Sequence, residues 1–199
     1  MPPRSARTAG RLRLASESRS TQLVASSVLG MLIFVAAEVM FFAGLISAFT
    51  IIRAEAPIWP PANQPRLPIE RTAINTIALL FSGVALAIAQ RAFTRDRGKA
   101  RTPMLVAMLL GGFFVLFQGA EWWALIRQGL TLTSSSLGSF FYLIVGLHAL
   151  HAVIAIALLT AAWWRLQRGW LAQSQLVTAA VFWYFVVGLW PVLYGVVYL

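Results

Sequence analysis

The sequence LGSFFYLIVGLHALHAVIAIALLTAAWW, residues 137–164, contains no Asp, Glu, Lys or Arg. It is longer than the roughly 20 apolar residues that an α-helix needs to cross the hydrocarbon core of a bilayer. Such a continuous apolar run is also too long for a strand of a membrane β-barrel, in which polar and apolar side chains alternate. The segment is therefore predicted to be a transmembrane α-helix.

Four other segments have the same character, and the predicted spans are residues 23–52, 72–93, 103–126, 137–164 and 176–199. The whole chain of 199 residues is 59% hydrophobic and 11% charged, with a mean hydropathy of +0.76, which leaves too little polar surface for a soluble domain of this size. No internal repeat is visible. The predicted fold class is all-α: one polytopic bundle of five transmembrane helices that follows a short N-terminal tail.

The basic residues predict how the chain is oriented in the membrane. The net charge is +10, but Lys and Arg lie in the tail and in short loops and do not line a helix face, which argues against nucleic acid as a partner. Twelve of them fall on the N-terminal side of the predicted membrane and four, Arg53, Arg66, Arg71 and Arg127, on the other. The positive-inside rule therefore predicts a cytoplasmic N-terminus and an external C-terminus.

Residues 1–20 are rich in Arg and Ser and have no apolar core, which indicates a mobile basic tail. The apolar run that follows the tail is too long for a signal peptide. A transit peptide is the alternative interpretation. Cysteine is absent, so disulfides and thiolate metal sites are excluded.

Glu38 lies near the middle of the first predicted span, in the stretch FVAAEVMFF. A charged side chain at that depth costs about 2.5–3.5 kcal/mol, and such residues are functional more often than other intramembrane residues. A protonated Glu38 could donate one hydrogen bond. The two hypotheses for it are a functional carboxyl group and a neutral glutamate that only joins two helices.

Four further polar residues are predicted to lie inside the membrane. Gln118 and Glu121 share a face of the third span, and His148 and His151 share a face of the fourth. Two histidines on one helix cannot bind a haem iron from opposite sides. A metal site with Glu38 or Glu121 is conceivable, but hydrogen bonds between helices are favoured, and we predict no metal ligand. No phosphate loop, nucleophile elbow or zinc signature is present, so we predict no catalytic residue.

Trp59-Pro60-Pro61, between the first two spans, is predicted to be a stiff anchor at the outer membrane interface. Asn75 and Ser82, seven residues apart, form a polar face of the second span. In the last span, Tyr184 and Pro191 share a face, and the proline is predicted to kink the helix.

Taken together, these segments resemble subunit III of the haem–copper oxidases, the terminal oxidases of respiration. The similarity covers residues 29–198, with the motifs in the order of the family: GMLIF leading to Glu38, then Trp59-Pro60-Pro61, Asn75-Thr76, Ser82-Gly83, Gln118 with Glu121, and Gly138-Ser139-Phe140-Phe141 followed by His148 and His151. Each motif is weak alone, but the series in the correct order is specific.

Two features depart from the family pattern. Members of the mitochondrial type have seven helices, and this chain resembles the shorter bacterial type that has only the last five. The cleft that faces lipid in longer members should then be open or closed by another subunit. The final helix usually carries His and Asp where this chain has Tyr184 and Val187.

The resemblance implies a non-catalytic subunit of a proton-pumping oxidase in the bacterial plasma membrane, with cytochrome c or quinol as electron donor. It implies that haem and copper are held by a partner, subunit I, and that this chain binds phospholipids and sustains proton uptake and turnover stability. Arg165 corresponds to an arginine of the family and is the candidate for a lipid phosphate, although it also fits a topology-setting charge. The alternatives are an accessory subunit of a nitric oxide reductase and a small proton-conducting or transport protein centred on Glu38.

Overall fold

The computed structural model describes residues 4–58 and 65–199, with the side chains of residues 26–58 and 65–199. All regular secondary structure in the described part is helical, and five of its helices are long and apolar enough to cross a membrane. The helices are α1 (Arg4–Glu55), α2 (Ile69–Arg95), α3 (Arg101–Arg127), α4 (Ser136–Gln167) and α5 (Gln173–Leu193). The predicted fold class and the five spanning helices are thus confirmed.

Short connections make consecutive helices antiparallel. A 3-10 turn, Gly98–Ala100, joins α2 to α3, and the Asp96 carboxylate accepts a hydrogen bond from the Gly98 amide at 2.8 Å. Gly129 and Gly169 follow the ends of α3 and α4 with positive φ angles of 93° and 76°, a conformation that glycine adopts without steric cost. These turns fix where α3 and α4 end.

The turn before α4 depends on a glycine for a different reason. The side chain of Ser135 caps α4 by accepting a hydrogen bond from the Gly138 amide at 3.1 Å. A Cβ atom at position 138 would collide with the carbonyl oxygen of Thr131, so only glycine fits against this turn. Gly138, which the sequence analysis includes in a family motif, therefore has a local structural role.

Helices α2, α3, α4 and α5 form a closed ring in which each helix packs on its two neighbours, and α1 lies outside the ring against α4 and α5. Trp183 and Trp190 of α5 and Phe114 of α3 are almost completely buried inside the ring. The rings of Phe114 and Trp190 meet edge to face at 4.8 Å between centroids, a favourable geometry for aromatic pairs.

Helix α1 is attached through one stripe of aromatic side chains. Phe34 contacts Phe182 at 5.8 Å between ring centroids, and Phe42 contacts Phe185 at 6.2 Å. Only 6% of the most apolar stretch of α1 is buried within the chain, against 28–50% for the other four spans. Most of the apolar surface of residues 26–55 of α1 therefore faces outward.

The last span does not continue as an α-helix to its end. It changes at Tyr194 into a π-helical turn, Tyr194–Tyr198, three residues after Pro191. The missing amide hydrogen of a proline weakens the helical hydrogen-bond pattern around it. The kink itself stays a prediction, as does the mobility of the basic tail.

Candidate functional site in the membrane interior

The structure pairs Glu38 of α1 with His151 of α4. A carboxylate oxygen of Glu38 lies 3.1 Å from Nε2 of His151, and the two side chains are 18% and 11% exposed. The pair lies beside Phe42, whose ring is 5.5 Å from that of His151. Glu38 is thus one polar link between the outlying helix α1 and the ring.

The second nitrogen of His151 contacts its own helix. Nδ1 lies 2.7 Å from the carbonyl oxygen of Leu147, which can only accept a hydrogen bond, so Nδ1 carries a hydrogen. Nε2, the other ring nitrogen, therefore faces Oε2 of Glu38. The ring of His151 thus lies between the backbone of α4 and the carboxyl group of α1.

His148 has a different environment, although it lies only three residues from His151. It is completely buried, and its ring stacks on that of Trp190 with 5.1 Å between centroids. Neither ring nitrogen has a hydrogen-bond partner among the described residues. The structure therefore places His148 in the aromatic core, and only His151 at a helix–helix polar contact.

We expect substitutions of the two histidines to differ in their effect. His151→Leu leaves Glu38 unpaired and should lower the free energy of unfolding by about 1–2 kcal/mol, the range for a hydrogen bond between membrane helices. His148→Leu removes two unsatisfied nitrogens together with one ring stack, so its net effect should be close to zero. Thermal unfolding of both variants in detergent measures the difference, and a larger loss for His148→Leu would contradict this account.

Glu121 and Gln118 lie together in the half of the ring that contains the Arg127 end of α3. Oε2 of Glu121 is 3.0 Å from the Thr72 hydroxyl of α2, and the Gln118 amide donates to the Tyr198 hydroxyl at 3.0 Å. Each of these contacts joins α3 to another helical segment. The described residues contain no group of three His, Cys, Asp or Glu side chains close enough to hold a metal ion, and Glu38 and Glu121 belong to separate contacts.

Three side chains to which no hydrogen bond was assigned from the sequence, those of Thr72, Thr76 and Trp190, complete this polar interior. Trp190 donates its indole hydrogen to the Thr76 hydroxyl at 2.8 Å, and Thr76 donates to the carbonyl oxygen of Thr72 at 2.7 Å. Thr72, Asn75 and Thr76 lie within about one turn of α2. This cluster of polar residues is the feature of the sequence that indicates a polar contact between helices at this place. Ser82, in contrast, donates only to Leu79 of its own helix.

The positions that depart from the family pattern have packing partners. The Tyr184 hydroxyl donates to Gln90 of α2 at 2.6 Å, so a polar contact exists where the family has histidine. Val187 packs on Gly83, where an added Cβ would lie 3.1 Å from a methyl group of the valine. An apolar side chain therefore fills the place of the usual Asp.

Arg53, which served in the sequence only to predict the topology, binds the C-terminal turn of the last span. Its guanidinium group donates to the carbonyl oxygens of Val196 and Leu199, both at 3.1 Å. Carbonyl groups at a helix C-terminus lack partners within the helix. Arg53 thus caps the last turn and holds the end of α1 against it.

Arg165 lies at the opposite end of the bundle, beside a cavity of about 250 Å³. Ser27 and Met31 of α1, Leu158 of α4 and Thr178 of α5 also line this cavity, and the Thr178 hydroxyl has no partner among the described residues. Trp59, Pro60 and Pro61 lie outside the described residues, so their role as an anchor stays a prediction.

Comparisons of the sequence with known proteins indicate the family. A family model described as "Cytochrome c oxidase subunit III" matches residues 15–199. The chain is 33% identical to a probable cytochrome c oxidase subunit 3 of Mycobacterium leprae, over 96% of this chain and 97% of the relative. It is 29% identical to subunit 3 of Synechocystis, over 85% and 74% of the two chains, and 32% identical to the human subunit 3, over 85% and 67%. Since the match extends through all five spans, this chain belongs to the cytochrome c oxidase subunit III family.

Proposed function

We propose that this chain, as the non-catalytic subunit III of a respiratory cytochrome c oxidase, packs on subunit I and stabilises it during turnover. In this proposal haem and copper are bound by subunit I, and this chain contributes no ligand to them. Its own contribution is structural: it binds phospholipids and helps to sustain proton uptake by keeping its outlying helix in place. Its place is the plasma membrane of a bacterium, with the N-terminus in the cytoplasm.

The observation that carries the proposal is the position of α1. This helix lies outside the ring, and large apolar side chains such as Leu29, Ile33 and Met40 are exposed along its described part, residues 26–55. An isolated membrane helix gains van der Waals contacts when another helix packs on it. The exposed face of α1, fixed to the ring by Glu38 and His151, is therefore suited to a partner subunit.

The cavity at Arg165 supports a role in binding lipid. A guanidinium group beside an unpartnered hydroxyl, Thr178, suits a phosphate group, and the apolar walls suit the first carbons of acyl chains. The cavity lies between α1, α4 and α5, so that a lipid bound there would also fill the gap beside the outlying helix.

The membrane orientation is supported by where the turns lie. Antiparallel helices bring the α2–α3 turn, with Arg97 and Lys99, and the α4–α5 turn, with Arg168, to one side. The ring of Trp164 lies 3.8 Å from the Arg168 guanidinium carbon, an arrangement typical of the headgroup region. The positive-inside rule assigns that side to the cytoplasm.

A gentle purification tests this function. When the native chain is tagged and extracted in mild detergent, we expect it to co-purify with a subunit that contains haem and copper, and the complex to show haem absorption bands. Recovery of the native chain as a stable, separate monomer would contradict the proposal. Mass spectrometry of the co-purified chains identifies the partners.

A further inference from the structure

The last span ends in the π-helical turn Tyr194–Tyr198, and every other transmembrane helix contacts this turn. The contacting residues are Arg53 of α1, Ile69 of α2, Gln118 of α3 and Phe141 of α4. The hydroxyl of Tyr194 donates to the carbonyl oxygen of Ile69 at 3.1 Å, and the ring of Tyr198 lies 5.7 Å from that of Phe141 between centroids. Contacts from all the other spans therefore converge on one short segment.

A π-helical turn depends on its surroundings for support. Its hydrogen bonds join residue i to residue i+5, and it is rare in proteins, where it occurs mostly as a single turn, often at a functional site. Because such a turn holds more residues than a turn of α-helix, a five-residue segment ends about a quarter of a turn away from its α-helical position. The π conformation therefore decides in which direction the side chain of Tyr198 and the carbonyl groups of the turn point.

Two sets of hydrogen bonds depend on that direction. Tyr198 is 5% exposed, and its hydroxyl accepts a hydrogen bond from the Gln118 amide at 3.0 Å inside the ring. The carbonyl oxygens of Val196 and Leu199 accept hydrogen bonds from the Arg53 guanidinium group, both at 3.1 Å. If the segment continued as an α-helix, the hydroxyl and both carbonyl groups would rotate away from these donors together. Gln118 and Arg53 therefore stabilise the same conformation of the turn, although they belong to different helices.

We propose that this turn is a conformational latch that couples the C-terminal end of α1 to the polar interior of the ring. The latch consists of residues 194–198, Arg53 and Gln118. In its closed state the turn is π-helical, Gln118 holds Tyr198, and Arg53 holds the end of α1. In its open state the turn is α-helical or frayed, and Arg53 loses its carbonyl acceptors. The end of α1 is then released, while the aromatic stripe still attaches the rest of the helix.

The latch affects the helix that the proposed function assigns to a partner subunit. A partner that holds the end of α1 against the ring favours the closed state, and closure in turn presents α1 in one position, because coupling between two sites is reciprocal. This inference goes beyond the proposed function and does not require it, since every contact of the latch lies within this chain.

Hydrogen–deuterium exchange with mass spectrometry tests the latch on the full chain, in the assembly in which mild detergent extracts it. The measured quantity is the exchange rate of backbone amides at residues 50–55 of α1 and at residues 194–199. Gln118→Leu removes a hydrogen bond in which α1 takes no part, and yet it should speed up exchange at residues 50–55 about fivefold, the ratio that corresponds to one hydrogen bond. Arg53→Met should likewise speed up exchange at both segments, and by a similar factor in each, because a single opening exposes both.

Two matched controls separate the latch from a general loosening of the bundle. Gln90→Leu removes another glutamine that bonds to a tyrosine of α5, Tyr184, but away from the turn. Arg66→Met removes a basic side chain that lines the same cavity as Arg53 and donates no hydrogen bond to the described residues. Neither control should change exchange at residues 50–55.

Unchanged exchange at residues 50–55 in Gln118→Leu, or an equal increase in Gln90→Leu, would overturn the proposal. Should Gln118→Leu fail to fold, Tyr198→Phe is the second variant, because it keeps the ring contact with Phe141 and loses only the hydroxyl that Gln118 bonds. It should give the same increase at residues 50–55. Co-purification with haem and copper is a separate measurement, so the latch and the proposed function can fail independently.

Discussion

Gly111→Val should lower the free energy of unfolding by about 1–3 kcal/mol, the cost of adding side-chain atoms to a packed core. Trp183 of α5 crosses the interior of the ring and reaches α3, where the space of the missing side chain at position 111 receives its indole ring. A Cβ atom at Gly111 would lie 2.7 Å from Cζ2 of Trp183 and would collide with its neighbour Cη2. Because Trp183 is completely buried in a close-packed interior, the indole cannot yield without moving α5.

The adjacent glycine provides the control for this prediction. A Cβ atom at Gly112 would have no heavy atom of another residue within 4 Å, so Gly112→Val adds the same atoms without a collision. Thermal unfolding of both variants in the same detergent separates steric conflict from the general effect of valine in a helix. Equal stability of the two variants would show that Trp183 does not depend on the space at Gly111.

Glu38→Ala should shorten the working life of the oxidase while leaving the initial rate of oxygen reduction largely intact. The substitution removes the contact between α1 and His151, which helps the aromatic stripe and Arg53 to hold a weakly buried helix to the ring. A loss of about 1–2 kcal/mol is expected for such a contact in a membrane, which is enough to loosen α1 but not to unfold the bundle. Subunit association and the number of turnovers before inactivation are the quantities to measure.

Two other variants make this test specific. Glu38→Gln keeps a side chain that can hydrogen-bond to Nε2 of His151, so it should retain most of the turnover stability. Glu55→Ala removes an exposed carboxyl group from the same helix and should have no effect. Immediate loss of all activity in a correctly assembled Glu38→Ala complex would contradict a stabilising role and would point to a direct part in proton transfer.

The polar residues show how far the sequence could predict the site. Glu38 and His151 were both identified as intramembrane polar groups, because a charged or titratable residue in an apolar run stands out in any sequence. Their pairing could not be predicted, since His148, three residues away on the same helix face, was an equally good partner. The packing of α1 against α4 decides that His151 meets Glu38, and the packing of α4 against α5 decides that His148 meets Trp190.

Thr72 and Trp190 show the same limit for uncharged groups. The cluster of Thr72, Asn75 and Thr76 indicates a polar face of α2, but nothing in the local sequence identifies Glu121 as the partner of Thr72 or Thr76 as the partner of Trp190. Their hydrogen bonds join residues that are 49 and 114 positions apart in the chain. Such contacts depend on which helices are neighbours in the ring and on which faces they turn to one another.

The sequence alone therefore determined that this chain crosses the membrane as five helices and which family it resembles, because the length of an apolar run and the order of motifs are local properties. The tertiary structure decided which face of each helix is buried, that α1 lies outside the ring, and which polar groups meet. The physical reason is that lipid and protein interior are both apolar, so the hydropathy of a membrane helix does not distinguish the face that packs on other helices from the face that contacts lipid. Only the contacts between helices in the structure show which face of each helix is buried.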